Sequence, residues 1–365
     1  MNKSLIKKDG LIIAGPCSAE SEEQLVTTAK SLAKTGMVDV LRAGIWKPRT
    51  NPGGFEGVGL KGLSWFSTAK KETGLAVGTE VATSRHVEDV LHYELDLMWV
   101  GARTSVNPFS VQNIADALKG TDSTVLIKNP INPDIKLWIG AVERILNAGI
   151  TKIGLIHRGF SSYNNKEYRN APIWQIPIEM RRIFPDLPMI CDPSHIAGKR
   201  ETLLRVSQKS LDLHYNGLII ESHYNPEEAL TDKEQQVSPE QLAILLNQLV
   251  WKKESSNLPE YQKKIEILRE QINQYDDDLI HLLHSRMLVA ENIGQLKKAN
   301  NVTVLQSNRW NEILHKMIST TRNTNLSEDF IKSFMEILHI ESIRIQNDLS
   351  NSHKMNGLLN FSENV

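Results

Sequence analysis

Between residues 11 and 223 the chain alternates short apolar runs with stretches of helical periodicity, and that alternation limits the folds open to it. The runs are LIIAGPC, VDVLRAG, GLAVGTE, LMWVGAR, STVLIKN, KIGLIHR, PMICDPSH and GLIIESH, in that order. Segments such as SEEQLVTTAKSLAKTG, SRHVEDVLHYEL and DIKLWIGAVERILNAG fall between them. Continuous apolar strands separated by helices form a parallel sheet buried on both faces. Eight such units predict a closed (β/α)8 TIM barrel, with an open doubly wound sheet as the alternative. No G-x-G-x-x-G follows the first run, which disfavours the dinucleotide-binding form of that alternative.

Polar residues gather at the C-terminal ends of these runs: Cys17, Arg42, Glu80, Arg103, Lys128, Arg158, Asp192 with His195, and Glu221 with His223. In a barrel all eight ends meet at one face, where barrel enzymes do their chemistry. One cation at a strand end is ordinary, either a solvated terminus or half of an ion pair. Four strands ending in Arg or Lys are harder to treat that way. Lys47 and Arg49 follow close behind Arg42, with no carboxylate beside them in sequence. Together they point to a ligand that carries phosphate and carboxylate groups.

The same rim offers Cys17, His195, Glu221 and, after GLIIESH, Asp232 as ligands for a divalent metal. Taken singly, Cys17 reads more readily as a small buried apolar residue and His195 as a hydrogen-bonded core histidine. Mixed sulfur, nitrogen and oxygen ligation does not choose among Mn2+, Fe2+, Co2+ and Zn2+.

A chain of 365 residues has room for a second domain, and a net charge of −1 gives no reason to expect a nucleic acid or a membrane as partner. The first ten residues lack the apolar core of a signal peptide, and no run is long enough to span a bilayer. Two cysteines do not make a disulfide framework, and a cytoplasmic setting is expected.

Past LNQLVWKK the pattern changes. SSNLP at 255–259 is a polar break ending in proline. The expected limits are 1–252 for the barrel, 253–259 for a linker, 260–350 for an all-helical domain and 351–365 for a poorly ordered tail. Within 261–300, Ile265, Leu268, Ile272, Leu279, Leu282, Val289, Ile293 and Leu296 recur at helical spacing. A helix that long cannot pack on itself. Shorter helices are predicted near 306–320 and 327–349, the latter capped by Ser327. Their core is small for one chain, so an intertwined homodimer is expected. Arg269, Arg286 and Lys297 border the apolar face, where they either snorkel or bind an anion.

The motifs AGPCS, LRAGIWKPRT, GART, LIKNP, IHRG, DPSH and IIESH…LTD, in this order, resemble the type I DAHP synthases. The resemblance implies condensation of phosphoenolpyruvate with erythrose 4-phosphate at the head of the shikimate pathway. It implies a divalent metal, Mn2+ first with Fe2+, Co2+ or Zn2+ as alternatives, on Cys17, His195, Glu221 and Asp232. It assigns phosphoenolpyruvate to Arg42, Lys47, Arg103, Lys128 and Arg158, and erythrose 4-phosphate to Arg49 and Thr50. Lys47 then also serves as a proton donor. The pentose-phosphate-using 3-deoxy-octulosonate phosphate synthases are the related alternative, and a degenerate, non-catalytic barrel is the non-enzymatic one.

The segment LREQINQYDDDLIHLLHSRMLVAENIGQLKK, with RWNEIL and IESIRIQND, is similar to the all-helical chorismate mutases. That similarity implies conversion of chorismate to prephenate without any cofactor. Arg269, Arg286, Lys297, Arg309, Ser342 and Gln346 would form the site, with Arg269 reaching into the other subunit and Arg286 and Lys297 carrying the catalysis. Gln306 and Trp310 depart from the bacterial pattern, where Asp and Glu stand. The fusion implies feedback on the first reaction through the mutase domain, with prephenate as a candidate ligand.

Overall fold

The computed structural model describes residues 6, 10–47, 53–163, 167–253, 255–321 and 324–359, leaving aside the side chains of 307, 308 and 349–359. Strands β1 (Leu11–Gly15), β2 (Val40–Arg42), β3 (Ala76–Val81), β4 (Leu97–Val100), β5 (Thr124–Lys128), β6 (Lys152–His157), β7 (Met189–Cys191) and β8 (Gly217–Glu221) pair in sequence order. All pairs are parallel, and β8 returns to β1 with Leu11 opposite Gly217 and Gly15 opposite Glu221. The barrel is therefore closed, as the eight runs predict. Helices α1 (Glu22–Lys34), α2 (Lys61–Thr73), α3 (Ser84–His92), α4 (Pro108–Leu118), α5 (Ile135–Asn147), α6 (Gln175–Ile183), α7 (Pro193–Ala197), α8 (Leu203–Asp212) and α9 (Pro239–Gln248) follow in turn.

Local chemistry sets many of the helix starts. Ser21, Thr83, Asn107 and Asp134 each accept backbone N–H bonds at the N-termini of α1, α3, α4 and α5. Ser238 and Gln241 form a reciprocal capping box at α9, with Pro239 in its first turn.

Strand side chains alternate between two cores. Ile13, Val40, Trp99, Leu126, Ile156, Ile190 and Ile219 fill the barrel interior, and Ile6 joins them. Their neighbours Ile12, Ala14, Leu41, Met98, Val125, Leu155 and Leu218 pack outward against the helices. At the strand ends the inward series continues into polar residues, and this points the chemistry into the mouth.

The contacts divide the chain into two compact units, residues 1–254 and 255–365. The second is helical: α10 (Pro259–Ala299), α11 (Ser307–Thr321) and α12 (Glu328–Leu359). Ser327 caps α12, its Oγ accepting from Phe330 N–H at 3.2 Å. This helix runs on through residues expected to be a tail. SNSHKM holds no proline or glycine to stop it, and the Gly357 that follows lies within the helix. The three helices meet around Ile331, Met335 and Leu338, with Leu283, Trp310, Ile313 and Met317 alongside. Along α10, Leu268, Ile272, Leu279 and Leu282 are each more than half exposed.

Gly15 permits the closest strand approach at the mouth: a Cβ there would lie 2.1 Å from the Arg42 carbonyl oxygen. Gly140 on α5 has nothing within 4 Å of its would-be Cβ. Gly15→Ala should therefore cost about 3 kcal/mol of stability in urea titration, and Gly140→Ala should add about 0.5–1 kcal/mol. Equal stabilities for the two variants would contradict this packing.

Candidate functional site

The inward-facing strand ends carry Cys17, Arg42, Glu80, Lys128, Arg158, Asp192 and Glu221 into one mouth, all of them buried except the half-buried Glu80. Ligand atoms of Cys17, Glu221 and Asp232 lie within 4.8 Å of one another. His195 stands beside them, its Nε2 3.8 Å from Glu221 Oε1. Asp232 comes from the loop after β8, where its backbone takes a left-handed conformation (φ 48°). Its Oδ2 is 3.5 Å from Cys17 Sγ, and Lys47 Nζ donates to the same sulfur at 3.0 Å.

Charge partners settle the protonation states. Burial, then Glu221, push the Cys17 thiol up to about 11 against the pull of Lys47. Burial alone would raise Asp232, but Arg169, His195 and Lys47 outweigh it and hold the carboxyl at about 2. Glu221 is likewise lowered, since His195 and Arg42 overcome its burial. Burial lowers His195, opposed by Asp192, so its ring is neutral at pH 7. His195 Nδ1 donates to Asp192 Oδ1 at 3.0 Å, which leaves the Nε2 lone pair facing Glu221.

These residues fit a divalent transition metal. A neutral imidazole oriented by a carboxylate, two ionised carboxylates and a thiol that ionises on coordination are the expected donors. Arg42, Lys128 and Asp192 lie around them.

The strand-end cations have partners that the sequence does not reveal. Arg42 bonds Glu221 Oε1 at 2.9 Å, and Lys128 bonds Asp192 Oδ2 at the same distance. The ion-pair reading thus holds for Arg42 and Lys128, because barrel closure supplies carboxylates from β8 and from the end of β7. Both cations also lie over the Trp99 ring, Arg42 at 5.3 Å and Lys128 at 5.9 Å from its centroid. Arg158 donates to Asn170 Oδ1 at 2.7 Å. Burial, with Arg169 and Arg103 nearby, brings Arg158 down to about 10 despite Asp192. Arg103 lies exposed in the turn after β4. Arg42 and Lys128 are thus held in buried ion pairs. Arg49 and Thr50 lie outside the described residues.

Several residues of the mouth carry no signal in the sequence. Arg169 bonds Asp232 Oδ1 at 3.1 Å and Gln235 Oε1 at 2.7 Å. Gln235 Nε2 donates to Glu221 Oε2 at 2.6 Å, and Gln236 Oε1 accepts from Cys17 N–H at 2.9 Å. Arg169 and Gln236 sit in loops and Gln235 in a three-residue 3-10 helix, none long enough to show a period, and only the closed barrel brings them to the ligands. His223, at the same strand end as Glu221, is turned away: its Nδ1 accepts from Asn225 N–H at 2.9 Å, and its Nε2 lies 4.0 Å from Glu20 Oε2.

In the helical unit a cavity of about 440 Å3 is walled by Arg286, Lys297, Trp310, His339, Ser342 and Gln346, with Gln306 and Arg309 at its lining too. No carboxylate among the described residues lines it. Arg286 donates to Ser342 Oγ at 2.7 Å, and Lys297 Nζ to Val304 O at 2.6 Å. Arg309 is exposed and paired with Glu312 at 2.8 Å. Trp310 stacks on His339, with ring centroids 4.3 Å apart. Arg269 is exposed on α10 and does not line the cavity. No helix among the described residues is long and apolar enough to cross a membrane.

Known proteins match both units. The model of the DAHP synthetase I family covers residues 5–257, and that of chorismate mutase type II covers 268–347. A phospho-2-dehydro-3-deoxyheptonate aldolase of Thermotoga maritima is 34% identical over 238 residues, 65% of this chain and 68% of that one. The crystal structure of the Thermotoga maritima aldolase superposes with a TM-score of 0.58 at 32% identity, covering 66% of this chain and 68% of the other. A 2-dehydro-3-deoxyphosphooctonate aldolase of Desulfotalea psychrophila is 27% identical over 261 residues, 66% of this chain and 88% of its own. The barrel, its mouth and these matches agree: the chain belongs to the DAHP synthetase I family and carries a chorismate mutase type II domain behind it.

Proposed function

We propose that the barrel condenses phosphoenolpyruvate with erythrose 4-phosphate in a metal-dependent reaction, and that the helical unit rearranges chorismate to prephenate. The observation that carries the first half is the approach of Cys17, Glu221 and Asp232 to within 4.8 Å at the C-terminal mouth of a closed barrel. The higher identity to the heptonate aldolase than to the octonate aldolase supports the four-carbon aldose as substrate.

Cys17, His195, Glu221 and Asp232 would hold a divalent ion, Mn2+ first, which supplies Lewis-acid polarisation of the aldehyde. Arg42, Lys47, Arg103, Lys128 and Arg158 receive the phosphate and carboxylate of phosphoenolpyruvate and fix its enol carbon for attack. Arg49 and Thr50 take the phosphate of the aldose. As the new carbon–carbon bond forms, Lys47 gives a proton to the aldehyde oxygen. Water then adds to the former enol carbon, and phosphate leaves by cleavage of its bond to that carbon. Cys17→Ser should lower condensation about 100-fold or more, and chelation should abolish it until Mn2+ is restored. Full turnover by the chelated enzyme would end the metal reading.

The mutase reaction is intramolecular and needs no nucleophile or general base. Arg286, Lys297 and Arg309 around a cavity lined by no carboxylate among the described residues suit a dianion held in its reactive conformation, with charge developing at an ether oxygen. The exposed leucines and isoleucines of α10 support a homodimer in which Arg269 completes the partner's cavity. Arg286→Ala should lower mutase kcat/KM about 100- to 1,000-fold, and so should dilution to a sedimenting monomer, with condensation within twofold in both cases. A fully active monomer would refute the shared site.

The fusion supports regulation of the barrel by prephenate bound to the helical unit, which requires a coupling free energy between the two sites. Prephenate should slow condensation by the full chain and leave a chain ending at residue 254 unaffected. Identical responses would reduce the fusion to tethering.

A further inference from the structure

Arg158 is held differently from Arg42 and Lys128, the cations buried alongside it. Arg42 meets Glu221 and Lys128 meets Asp192, each in a pair of opposite charges. Arg158 is framed by two uncharged amides. Its backbone N–H donates to Asn129 Oδ1 and its Nη1 to Asn170 Oδ1, both at 2.7 Å. Asn129 Nδ2 donates in turn to Gly159 O at 2.8 Å and to Pro130 O at 2.7 Å, so the backbone beside Arg158 is fixed as well as its side chain.

Asn170 is only 7% exposed and uses both ends of its amide. The Nδ2 donates to His195 O at 2.6 Å. A guanidinium only donates and a carbonyl only accepts, so one orientation of the amide satisfies both partners. The segment that carries Asn170 is tied on both sides. Phe160 N–H donates to Ala171 O at 2.8 Å and Ala171 N–H to Phe160 O at 2.9 Å, while Asn170 N–H donates to Ile196 O at 3.3 Å. Gly159 takes φ 76°, and a Cβ there would lie 2.6 Å from Asn170 O, so the two segments approach too closely for a side chain. The amide thus joins the residue after β6 to α7, the helix that carries His195.

We propose that Asn170 is a positioning residue of the condensation site, fixing the direction of the Arg158 guanidinium and tying it to the His195 backbone while leaving its charge uncancelled. This rests on the condensation reading above, in which Arg158 receives phosphoenolpyruvate. A carboxylate would grip the guanidinium more strongly, as Glu221 grips Arg42. Such a pair is neutral, however, and attracts an incoming anion less. An amide supplies direction without charge. Asn170→Asp separates the two properties, because it keeps the shape and changes the charge.

The test uses the full chain with Mn2+, measuring kcat and KM for phosphoenolpyruvate and its equilibrium binding. Asn170→Asp should raise KM and the dissociation constant about 10-fold. Asn170→Ala frees the guanidinium but leaves its charge, and should raise them only about threefold while lowering kcat severalfold. Mn2+ should bind Asn170→Asp no more weakly than the unsubstituted chain, since Asp192 still orients the His195 ring. Added to Arg158→Gln, Asn170→Asp should cost less than about twofold more. Should Asn170→Asp fail to fold, Asn170→Ala with and without Arg158→Gln makes the same comparison. An unchanged KM in Asn170→Asp, a larger rise in Asn170→Ala, weakened Mn2+ binding, or losses that add in full to those of Arg158→Gln would overturn the proposal alone. No condensation by the unsubstituted chain would overturn the reading beneath it as well.

Discussion

The buried ion pair between Arg42 and Glu221 organises the barrel mouth. The two residues end β2 and β8, the strands on either side of β1, and are 2.9 Å apart with almost no solvent contact. Arg42 also donates to the Cys17 carbonyl at 3.2 Å, so the pair closes over the end of β1 and fixes the residue that offers a sulfur. Pairs of this kind add little net stability, because desolvation offsets attraction. Removing one partner is another matter, costing about 3–5 kcal/mol through the charge left behind. The pair therefore acts mainly as a positional device. It sets the orientation of Glu221, and Gln235 holds the carboxylate's other oxygen at 2.6 Å.

A second pair works alongside it. Lys128 and His195 share Asp192, and the carboxylate is held well below its usual range because these two partners outweigh its burial. Trp99 lies beneath Arg42 and Lys128 and donates to Glu80 Oε2 at 2.9 Å. Arg42, Lys128, Glu221, Asp192, Glu80 and Trp99 thus make one connected network of cations, carboxylates and an aromatic ring. Catalysis by placement needs groups held in fixed positions of this kind.

Much of this was legible in the sequence, and the limits have physical causes. The eight runs and their polar ends gave the barrel and the mouth because strand period and burial are local properties. Pairing is not local. Arg42 and Glu221 are 179 positions apart, so the cation looked unpartnered until the sheet closed. Arg169 lies in a loop and Gln235 in a 3-10 helix too short to show a period, and nothing in their neighbours marks them as companions of Asp232. In the helical unit, spacing located α10 and the cation at Arg286. The stacking of Trp310 on His339 joins α11 to α12 and needs the tertiary fold. The end of α12 was misplaced because a polar composition resembles a tail even where nothing interrupts a helix.

The alternation of the strands has one more consequence. In each, aliphatic side chains facing the helices and side chains facing the axis are interleaved at single-residue intervals, and the charged terminus belongs to the axial set. Deleting one residue inside such a strand would swing its ionisable end into the oily layer under the helices and turn an aliphatic one to the mouth. Length variation in descendants of this chain is accordingly confined to the connections, and the strands can change only by substitution.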